Sequence, residues 1–378
     1  MLYATHAVVN LSAIRRNLQK ARELAAGRQV LVAVKADGYG HGAVEVARMV
    51  ERTGAADWLG IATVPEGLRL REAGITLPVL KLSQCFPEEL EAAFAADIDL
   101  AVVDADTIHQ AEQAAARLGR VANVHLKIDT GMRRIGCEPA DASELARLVA
   151  ESEHLSLRGV FTHLPISDMA DGMDRQRRPF GLEALDLFRA TVAAVEAVVG
   201  PVELVHGTPS GGLIQHDLSG MTMVRPGIMA YGYLPDASTR PVELEPAMSI
   251  VTRVSFVKRV AAGETVGYGR SWTAPCDTWV ATVPIGYADG WSRANSNRGH
   301  VLIGGRRWPV AGRVCMDQTM VDLGPDGGGV SAGDEVVVLG RQGDEEITAD
   351  EIAAVMGTIS YEVTCLVTPR VKRTYIEA

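Results

Sequence analysis

The stretch VLVAVKADGYGHG, residues 30–42, contains the pattern that decides the fold. A short apolar run rich in β-branched residues predicts a buried strand; a lysine and a glycine-rich turn end that strand, and helical periodicity follows. The same order of strand and then helix recurs up to about residue 230. The strand-like runs are residues 30–35, 58–63, 77–82, 100–103, 121–128, 158–163, 202–206 and 221–225.

These repeats number eight, which predicts a closed parallel (β/α)8 barrel of the TIM type. An open doubly wound sheet is the main alternative, because a count of strands cannot show that a sheet closes. From about residue 235 helical periodicity fades and short alternating runs take over, with only residues 348–356 helical in pattern. The sequence therefore predicts an α/β fold with a barrel domain over residues 1–234 and a mostly β domain over residues 235–378.

Composition narrows the class of protein. The chain has 378 residues, 47% of them hydrophobic and 22% charged, so a folded protein with a large core is expected. A net charge of −10 without a long basic run argues against nucleic acid or an anionic membrane as the main partner. The five cysteines lie far apart and no ligand spacing suggests a metal. No secretory signal or long apolar span is recognisable, and we expect a cytoplasmic protein.

Lys35, at the end of the first strand, is the first residue with chemical significance. An amine in apolar surroundings has a lowered pKa, and the neutral amine can form a Schiff base with a carbonyl compound. The alternative is a lysine that reaches solvent from the end of a strand. The glycines that follow do not match the Gly-x-Gly-x-x-Gly spacing, so a dinucleotide site is not expected.

Polar groups also follow the later strands of the predicted barrel. In a barrel the carboxyl ends of the strands share one face, where active sites are built. Small residues beside a serine let backbone N–H groups approach a phosphate. The residues concerned are Lys127 and Arg134 after the fifth strand, His163 after the sixth, His206 and Ser210 after the seventh, and Arg225 and Gly227 after the eighth.

Over nearly its whole length the chain resembles the alanine racemase family, whose motifs it carries in family order. They are AVKADGYGHG around Lys35, KIDTGMRRIG around Arg134, FTH at His163, VRPGIMAYG from Arg225, PIGYADG around Tyr287, GRVCMDQ around Met316 and YEVTC at Tyr361. The resemblance implies a pyridoxal 5'-phosphate enzyme that interconverts L-alanine and D-alanine and supplies D-alanine for peptidoglycan. It also implies a head-to-tail homodimer, in which the β domain of one subunit completes the site of the other.

The resemblance further implies a role for each matching residue. Lys35 would hold the cofactor as an aldimine and move the α-proton on one face of the substrate, and Tyr287 would act on the other face. Arg134 and the backbone of Met316 would bind the substrate carboxylate. Lys127, Cys315 and Asp317 would support these residues. The phosphate of the cofactor would be bound by Tyr39, Ser210, Gly227, Ile228 and Tyr361. Arg225 would face the pyridine nitrogen, with His163 and His206 beside that arginine.

The chemistry of racemisation agrees with these roles. Two groups on opposite faces are needed, because one base alone tends to return the proton to the side it left. Arg225 would leave the pyridine nitrogen unprotonated, since a guanidinium does not readily give up its proton, and this limits transamination. Lys127 and Arg134 would repel each other unless the lysine is carbamylated, as it is in some family members, and we predict that modification here.

Some points stay open at the level of the sequence. Pro209 replaces the usual asparagine before the phosphate-binding serine, and residues 175–178 are atypically rich in arginine. A large ring at Tyr361 narrows the pocket and favours alanine. The alternatives are a racemase of serine or basic amino acids, a decarboxylase of diamino acids, and a protein that binds pyridoxal phosphate without catalysis.

Overall fold

The computed structural model describes residues 3–167, 178–236 and 238–377, and it divides the chain into two compact units. The barrel unit comprises Ala13–Gly38 and Ala43–Glu245. The β unit comprises Met1–Ser12, Tyr39–Gly42 and Pro246–Ala378. Each unit is therefore assembled from separate stretches of the chain, and part of the glycine-rich turn after Lys35 belongs to the β unit. Of the atypical arginine-rich segment, residues 175–177 lie outside the described residues.

The first two-thirds of the chain alternates strands and helices as predicted. The elements are β1 (His6–Asn10), α1 (Leu11–Ala25), β2 (Gln29–Ala33), α2 (Lys35–Tyr39), α3 (Ala43–Thr53), β3 (Trp58–Ile61), α4 (Val64–Glu72), β4 (Val79–Gln84), α5 (Pro87–Ala95), β5 (Ile98–Val102), α6 (Ala105–Arg117), β6 (Ala122–Lys127), α7 (Ala142–Ala150), β7 (Leu155–Phe161), α8 (Arg178–Val199), β8 (Leu204–His206), α9 (Ser210–Gln215) and β9 (Met223–Val224). A 3-10 helix at Ile228–Tyr231 follows.

Within the described part of the chain, eight parallel strands form the barrel in the order β8-β7-β6-β5-β4-β3-β2-β9. Backbone hydrogen bonds join the two ends of this row: Thr222 N donates to Val205 O and Arg225 N donates to Thr208 O, each at 2.9 Å. The sheet is therefore closed, and the open doubly wound alternative is wrong. Every residue of β5 is buried, as expected for a strand covered on both faces.

The β unit contains three sheets among the described residues. Its elements are β10 (Met248–Arg253), β11 (Phe256–Val260), β12 (Thr265–Val266), β13 (Trp272–Thr273), β14 (Thr278–Val283), β15 (His300–Ile303), β16 (Arg306–Pro309), β17 (Thr319–Asp322), β18 (Glu335–Gln342), β19 (Glu345–Ile347), α10 (Ala349–Met356), α11 (Ser360–Cys365) and β20 (Lys372–Ile376). The largest sheet has the order β16-β15-β18-β10-β1-β20, with β19 paired to β18. The others have the orders β11-β14-β17 and β12-β13.

Two elements of the β unit escaped the sequence analysis. Strand β1 pairs antiparallel with β10 and parallel with β20, partners that lie more than two hundred residues away along the chain. The prediction of a single helix in this region was also wrong, because α11 forms a second one. That helix has only six residues, too few for a periodic pattern, and its N-cap residue Ile359 makes no side-chain cap. Helix α10, which the pattern of residues 348–356 predicted, begins with a side-chain cap: Thr348 Oγ1 accepts a hydrogen bond from Glu351 N at 3.0 Å.

Candidate active site

Lys35 stands on a left-handed turn at the carboxyl end of β2. Ala36, Asp37 and Gly38 all have positive φ, between 52° and 64°. Non-glycine residues rarely adopt this conformation, and runs of it persist only where neighbouring groups hold the backbone in place. Here Gly38 N donates to Val34 O at 2.7 Å, and the Asp37 carboxylate accepts from Ala43 N at 3.0 Å. The turn therefore fixes the point from which the Lys35 side chain starts.

Positive charge accumulates at the carboxyl ends of the barrel strands. Burial, followed by the cations Arg225, Arg134 and Lys35, lowers the pKa of Lys127 to about 8 against the opposing effect of Asp129. The Lys127 amine donates to Leu82 O at 3.2 Å. Among the described residues that act on Lys127, three cations face one carboxylate, and this excess of positive charge suits an anionic ligand.

The two predicted histidines of the barrel are neutral. Burial, followed by the charges of Arg225 and Arg134, lowers the pKa of His163 to about 3. Burial and Arg225 likewise hold the pKa of His206 well below its ordinary value. Neither ring therefore adds to the positive charge at neutral pH, and each can act as a hydrogen-bond acceptor.

Arg225 is buried and its guanidinium is fixed by two short hydrogen bonds. Nη1 donates to His206 Nδ1 and Nη2 donates to Thr162 O, both at 2.7 Å. Burial lowers the pKa of Arg225 to about 9, so the group is still a cation at neutral pH. A cation with a fixed direction is thus presented at the end of β9.

The loop after β8 is joined to the turn after β9 through Ser210. Ser210 Oγ accepts hydrogen bonds from Gly227 N at 2.9 Å and Met229 N at 3.4 Å. Pro209 is the N-cap of α9, and its carbonyl accepts a hydrogen bond from Leu213 N at 2.9 Å. Because an N-cap residue donates no hydrogen bond within the helix, the missing N–H of Pro209 does not weaken α9. The Thr208 hydroxyl is buried and has no hydrogen-bond partner among the described residues. An unsatisfied buried hydroxyl is costly and indicates a polar ligand at this loop.

Tyr39 and Tyr361 lie together within the β unit. Their ring centroids are 6.0 Å apart, and burial raises the pKa of Tyr39. A Cβ atom at Gly40 would lie 2.0 Å from Thr364 O, so only glycine allows the turn to approach α11 this closely. The Gly40 carbonyl in turn accepts from Arg373 Nε at 3.0 Å. The turn after Lys35 therefore places the ring of Tyr39 next to that of Tyr361, the tyrosine of the YEVTC motif.

Tyr287 and Met316 are held side by side on the surface of the β unit. Tyr287 N donates to Cys315 O at 3.1 Å, and Ala288 N donates to Met316 O at 3.0 Å. A Cβ atom at Gly286 would lie 2.3 Å from both of those carbonyl oxygens, which explains the glycine of the PIGYADG motif. The Tyr287 side chain is 44% exposed and that of Met316 is 52% exposed. Both side chains therefore face outward from the unit. Burial raises the pKa of the neighbouring Cys315 thiol, which favours its protonated form.

Asp289 fixes the turn that carries Tyr287. Its carboxylate accepts from Gly286 N at 2.9 Å and from Tyr3 Oη at 3.1 Å, and it lies 3.3 Å from Arg370 Nε. Arg370 also pairs with Asp317 at 2.7 Å, beside Met316. The sequence analysis missed Arg370 and Tyr3 as partners of Asp289, because no local pattern links residues so far apart.

The predicted site residues thus fall into two groups, one in each unit. The barrel unit brings together Lys35, Lys127, Arg134, His163, His206, Ser210, Arg225, Gly227 and Ile228. The β unit carries Tyr39, Tyr287, Cys315, Met316, Asp317 and Tyr361. Among the described residues, no cluster of three or more His, Cys, Asp and Glu side chains could hold a metal ion. No helix within the described ranges is long and apolar enough to cross a membrane.

Comparison with known proteins connects both units to one family. The family description "Alanine racemase, N-terminal domain" matches residues 9–235, and "Alanine racemase, C-terminal domain" matches residues 247–375. An alanine racemase of Cutibacterium acnes is 51% identical over 98% of each chain, and one of Symbiobacterium thermophilum is 42% identical over 98% of this chain and 97% of its own. The solved structure of alanine racemase from Clostridium difficile 630 superimposes with a TM-score of 0.92 at 35% identity, covering 100% of this chain and 97% of its own.

Replacement of Asp289 by alanine tests how the Tyr287 turn is held. The change leaves the Gly286 amide without its acceptor and removes one of the two carboxylates beside Arg370, and we expect a loss of about 2 kcal/mol in the free energy of unfolding. Denaturant titration measures this loss, and hydrogen exchange at the Gly286 amide locates it. Asp317→Ala is the matched control, because that carboxylate is exposed, and we expect a loss below about 1 kcal/mol for it. Equal losses in the two variants would contradict the assignment.

Proposed function

Because the chain belongs to the alanine racemase family and is an isomerase that interconverts L-alanine and D-alanine, we propose that it works by two-base proton transfer on pyridoxal 5'-phosphate. Lys35 is the proton-transfer group on one face of the substrate and Tyr287 the group on the other. The observation that carries this proposal is the excess of positive charge at the barrel end, where Lys35, Lys127 and Arg134 accompany Arg225. That charge suits a ligand with a phosphate and a substrate with a carboxylate.

The residues present fit the cofactor. In the barrel unit, the Ser210 hydroxyl, the Gly227 and Ile228 amides and the unsatisfied Thr208 hydroxyl are suited to the phosphate. For Tyr39 and Tyr361, a contact with the phosphate is proposed on the strength of the family alone. Lys35 would hold the cofactor covalently, and Arg225 would face its pyridine nitrogen, with His163 and His206 around the arginine. When bound, pyridoxal phosphate makes the Cα–H bond of an amino acid acidic enough to be broken.

Arg225 would limit the side reactions of the cofactor. A guanidinium donates hydrogen bonds and does not accept them, so the ring nitrogen opposite it stays unprotonated. His206 and the Thr162 carbonyl hold the guanidinium in place by two hydrogen bonds of 2.7 Å. In this position Arg225 would keep the electron withdrawal by the ring weak, which would disfavour transamination.

The proton-transfer groups come from different parts of the molecule. Lys35 belongs to the barrel unit, and Tyr287 is an exposed residue of the β unit. We propose that Tyr287 of one subunit serves the Lys35 of another, in a head-to-tail homodimer. The Asp289 carboxylate fixes the backbone turn from which the Tyr287 side chain starts. Docking of the partner can then place the phenol group accurately.

Substrate recognition falls to Arg134 and the backbone of Met316. The planar fork of a guanidinium binds a carboxylate through two parallel hydrogen bonds. Tyr361 narrows the space for the substrate side chain and favours alanine over serine or basic amino acids. We further propose, on the strength of the family, a cytoplasmic enzyme whose product D-alanine is used for peptidoglycan.

One assay separates racemisation from the other activities considered. The purified protein with pyridoxal phosphate is incubated with L-alanine while optical rotation and release of carbon dioxide are followed. Loss of rotation without carbon dioxide supports the racemase. Carbon dioxide without D-alanine would indicate a decarboxylase, and cofactor absorbance without turnover would indicate a carrier. The same assay with L-serine and L-lysine measures the breadth of substrate acceptance.

Tyr287→Phe tests the second proton-transfer group. The variant keeps the ring and the turn but loses the phenol proton, and we expect kcat for racemisation to fall about 100-fold or more. The absorbance of the bound cofactor should be unchanged, because Lys35 is intact. Full activity in this variant would refute the two-base assignment.

Mixing two inactive variants tests whether the site is shared between subunits. In a mixed dimer of Lys35→Ala and Tyr287→Phe chains, one site has both residues intact and the other has neither. Random reassortment should restore about one quarter of wild-type activity, because half of the dimers are mixed and half of their sites are complete. If both residues acted within one subunit, no activity would return on mixing.

Carbamylation of Lys127 is expected from its lowered pKa. A pKa of about 8 leaves part of the amine neutral near physiological pH, and the neutral amine adds carbon dioxide with loss of one proton to give an N-carboxylate. The product is an anion beside Arg134 and removes the repulsion between the two cations. Incubation with ¹³C-bicarbonate should give a carbamate signal by NMR that disappears in Lys127→Ala. A high-resolution map with a plain ammonium group at Lys127 and an ordered Arg134 would contradict this.

A further inference from the structure

A line of hydrogen bonds runs from Arg225 into the core of the barrel. Arg225 Nη1 donates to His206 Nδ1 at 2.7 Å, His206 Nε2 lies 3.1 Å from His125 Nδ1, and His125 Nε2 lies 3.3 Å from the Asp99 carboxylate. All four residues are buried, with exposed fractions of 6% or less. They come from four different parts of the barrel, the end of β9 and the strands β8, β6 and β5. None of the roles proposed above includes His125 or Asp99.

The direction of every hydrogen bond in this line is determined by its two ends. A guanidinium can only donate, so His206 Nδ1 must accept and the proton of His206 must lie on Nε2. That proton is donated to His125 Nδ1, which places the proton of His125 on its own Nε2. The ionised carboxylate of Asp99 can only accept it. Both histidines are therefore neutral Nε2–H tautomers.

A positive charge on either ring would break the line. If His206 were protonated, its Nδ1–H would point at the N–H of Arg225. If His125 were protonated, it would donate to His206 Nε2 and force the proton of His206 onto Nδ1, with the same clash. The lowered pKa of His206, caused by burial and then by Arg225 and His125, agrees with this account.

The surroundings hold both ends and both rings in place. Arg158 Nη1 lies 3.3 Å from the Asp99 carboxylate and packs on the Trp58 ring at 4.5 Å. Phe161 stacks on His206 at 4.9 Å with an interplanar angle of 7°. A Cβ atom at Gly159 would lie 2.3 Å from His125 Nδ1, so glycine at this position leaves room for the imidazole. The line is thus a packed part of the barrel interior.

We propose that His125 and Asp99 are positioning residues for the reaction, which act through His206 to hold the guanidinium of Arg225. Asp99 supplies the fixed acceptor that orders both tautomers, and the ordered tautomers leave His206 Nδ1 as the acceptor for Arg225. The link to catalysis rests on the proposed function, in which Arg225 faces the cofactor. The order of the tautomers does not depend on that function.

The first test measures the tautomers directly in the full-length protein. Long-range ¹H–¹⁵N NMR of the protein labelled with ¹⁵N-histidine, with and without pyridoxal phosphate, reports which ring nitrogen carries the proton. Variants His125→Gln and His206→Gln assign the two signals. The expected result is a neutral Nε2–H ring for both residues. A proton on Nδ1 of either ring, or an imidazolium at neutral pH, would overturn the proposal even if the protein racemises alanine.

The second test replaces the acceptor at the far end. In Asp99→Asn the amide oxygen is a weaker acceptor than the carboxylate, and the amide N–H groups can donate to His125 Nε2 instead; such a donation would reverse the line and turn an N–H of His206 towards Arg225. We expect a shift of the His125 and His206 signals towards the Nδ1–H tautomer and a fall in kcat of about tenfold, with KM for alanine within about twofold. Asp97→Asn is the matched control, because it removes the same charge nearby from a carboxylate that is 70% exposed and pairs with Arg120.

The outcomes separate this proposal from the function on which it rests. Unchanged tautomers and unchanged kcat in Asp99→Asn would refute the positioning role while leaving the racemase assignment intact. An equal fall in kcat in Asp97→Asn would also refute the positioning role, since the loss of a negative charge would then explain the effect. If Asp99→Asn does not fold, Arg158→Gln, which loosens the same carboxylate, takes its place. A wild-type protein that does not racemise alanine would refute the proposed function, and its tautomers would still test the line.

Discussion

Repulsion among like charges is the constraint on which the rest of the site depends. Lys35, Arg134 and Arg225 disfavour the charged form of Lys127 at the carboxyl ends of the barrel strands, and Asp129 favours it. Burial, followed by these charges, lowers the pKa of Lys127 to about 8 and that of His163 to about 3. A phosphate, a substrate carboxylate and a carbamate on Lys127 would each relieve part of this repulsion. The same cations thus support the proposed cofactor, an amino-acid substrate and the proposed modification of Lys127.

Backbone geometry places the chemical groups as firmly as charge does. Three successive left-handed residues fix the start of the Lys35 side chain, and the Asp289 carboxylate fixes the turn of Tyr287. Arg225 is fixed in a third way, through a line of hydrogen bonds that ends at Asp99. Each of these arrangements restricts the conformation of one proposed site residue. Such restriction is expected where proton transfer depends on the distance and angle between donor and acceptor.

The sequence predicted those features that short stretches encode. The strand-helix rhythm gave the eight barrel strands, and the motifs gave the residues that the barrel places around Arg225. Features that depend on distant contacts were missed: β1 pairs with strands far along the chain, and the His125–His206 contact joins residues 81 positions apart. His125 looked like an ordinary residue of a buried strand. Pro209 was left open because only the structure shows that it precedes the first turn of α9.

The fate of the α-hydrogen tests the central claim, that a site organised by these cations uses one proton-transfer group on each face of the substrate. A single turnover of L-alanine deuterated at Cα, carried out in ordinary water with excess enzyme, yields D-alanine that can be analysed by mass spectrometry. The two-base account predicts D-alanine that carries hydrogen from solvent, because the group that removes the deuteron is not the group that delivers the new proton. D-alanine that retains the deuterium would show that one group serves both faces and would contradict the account.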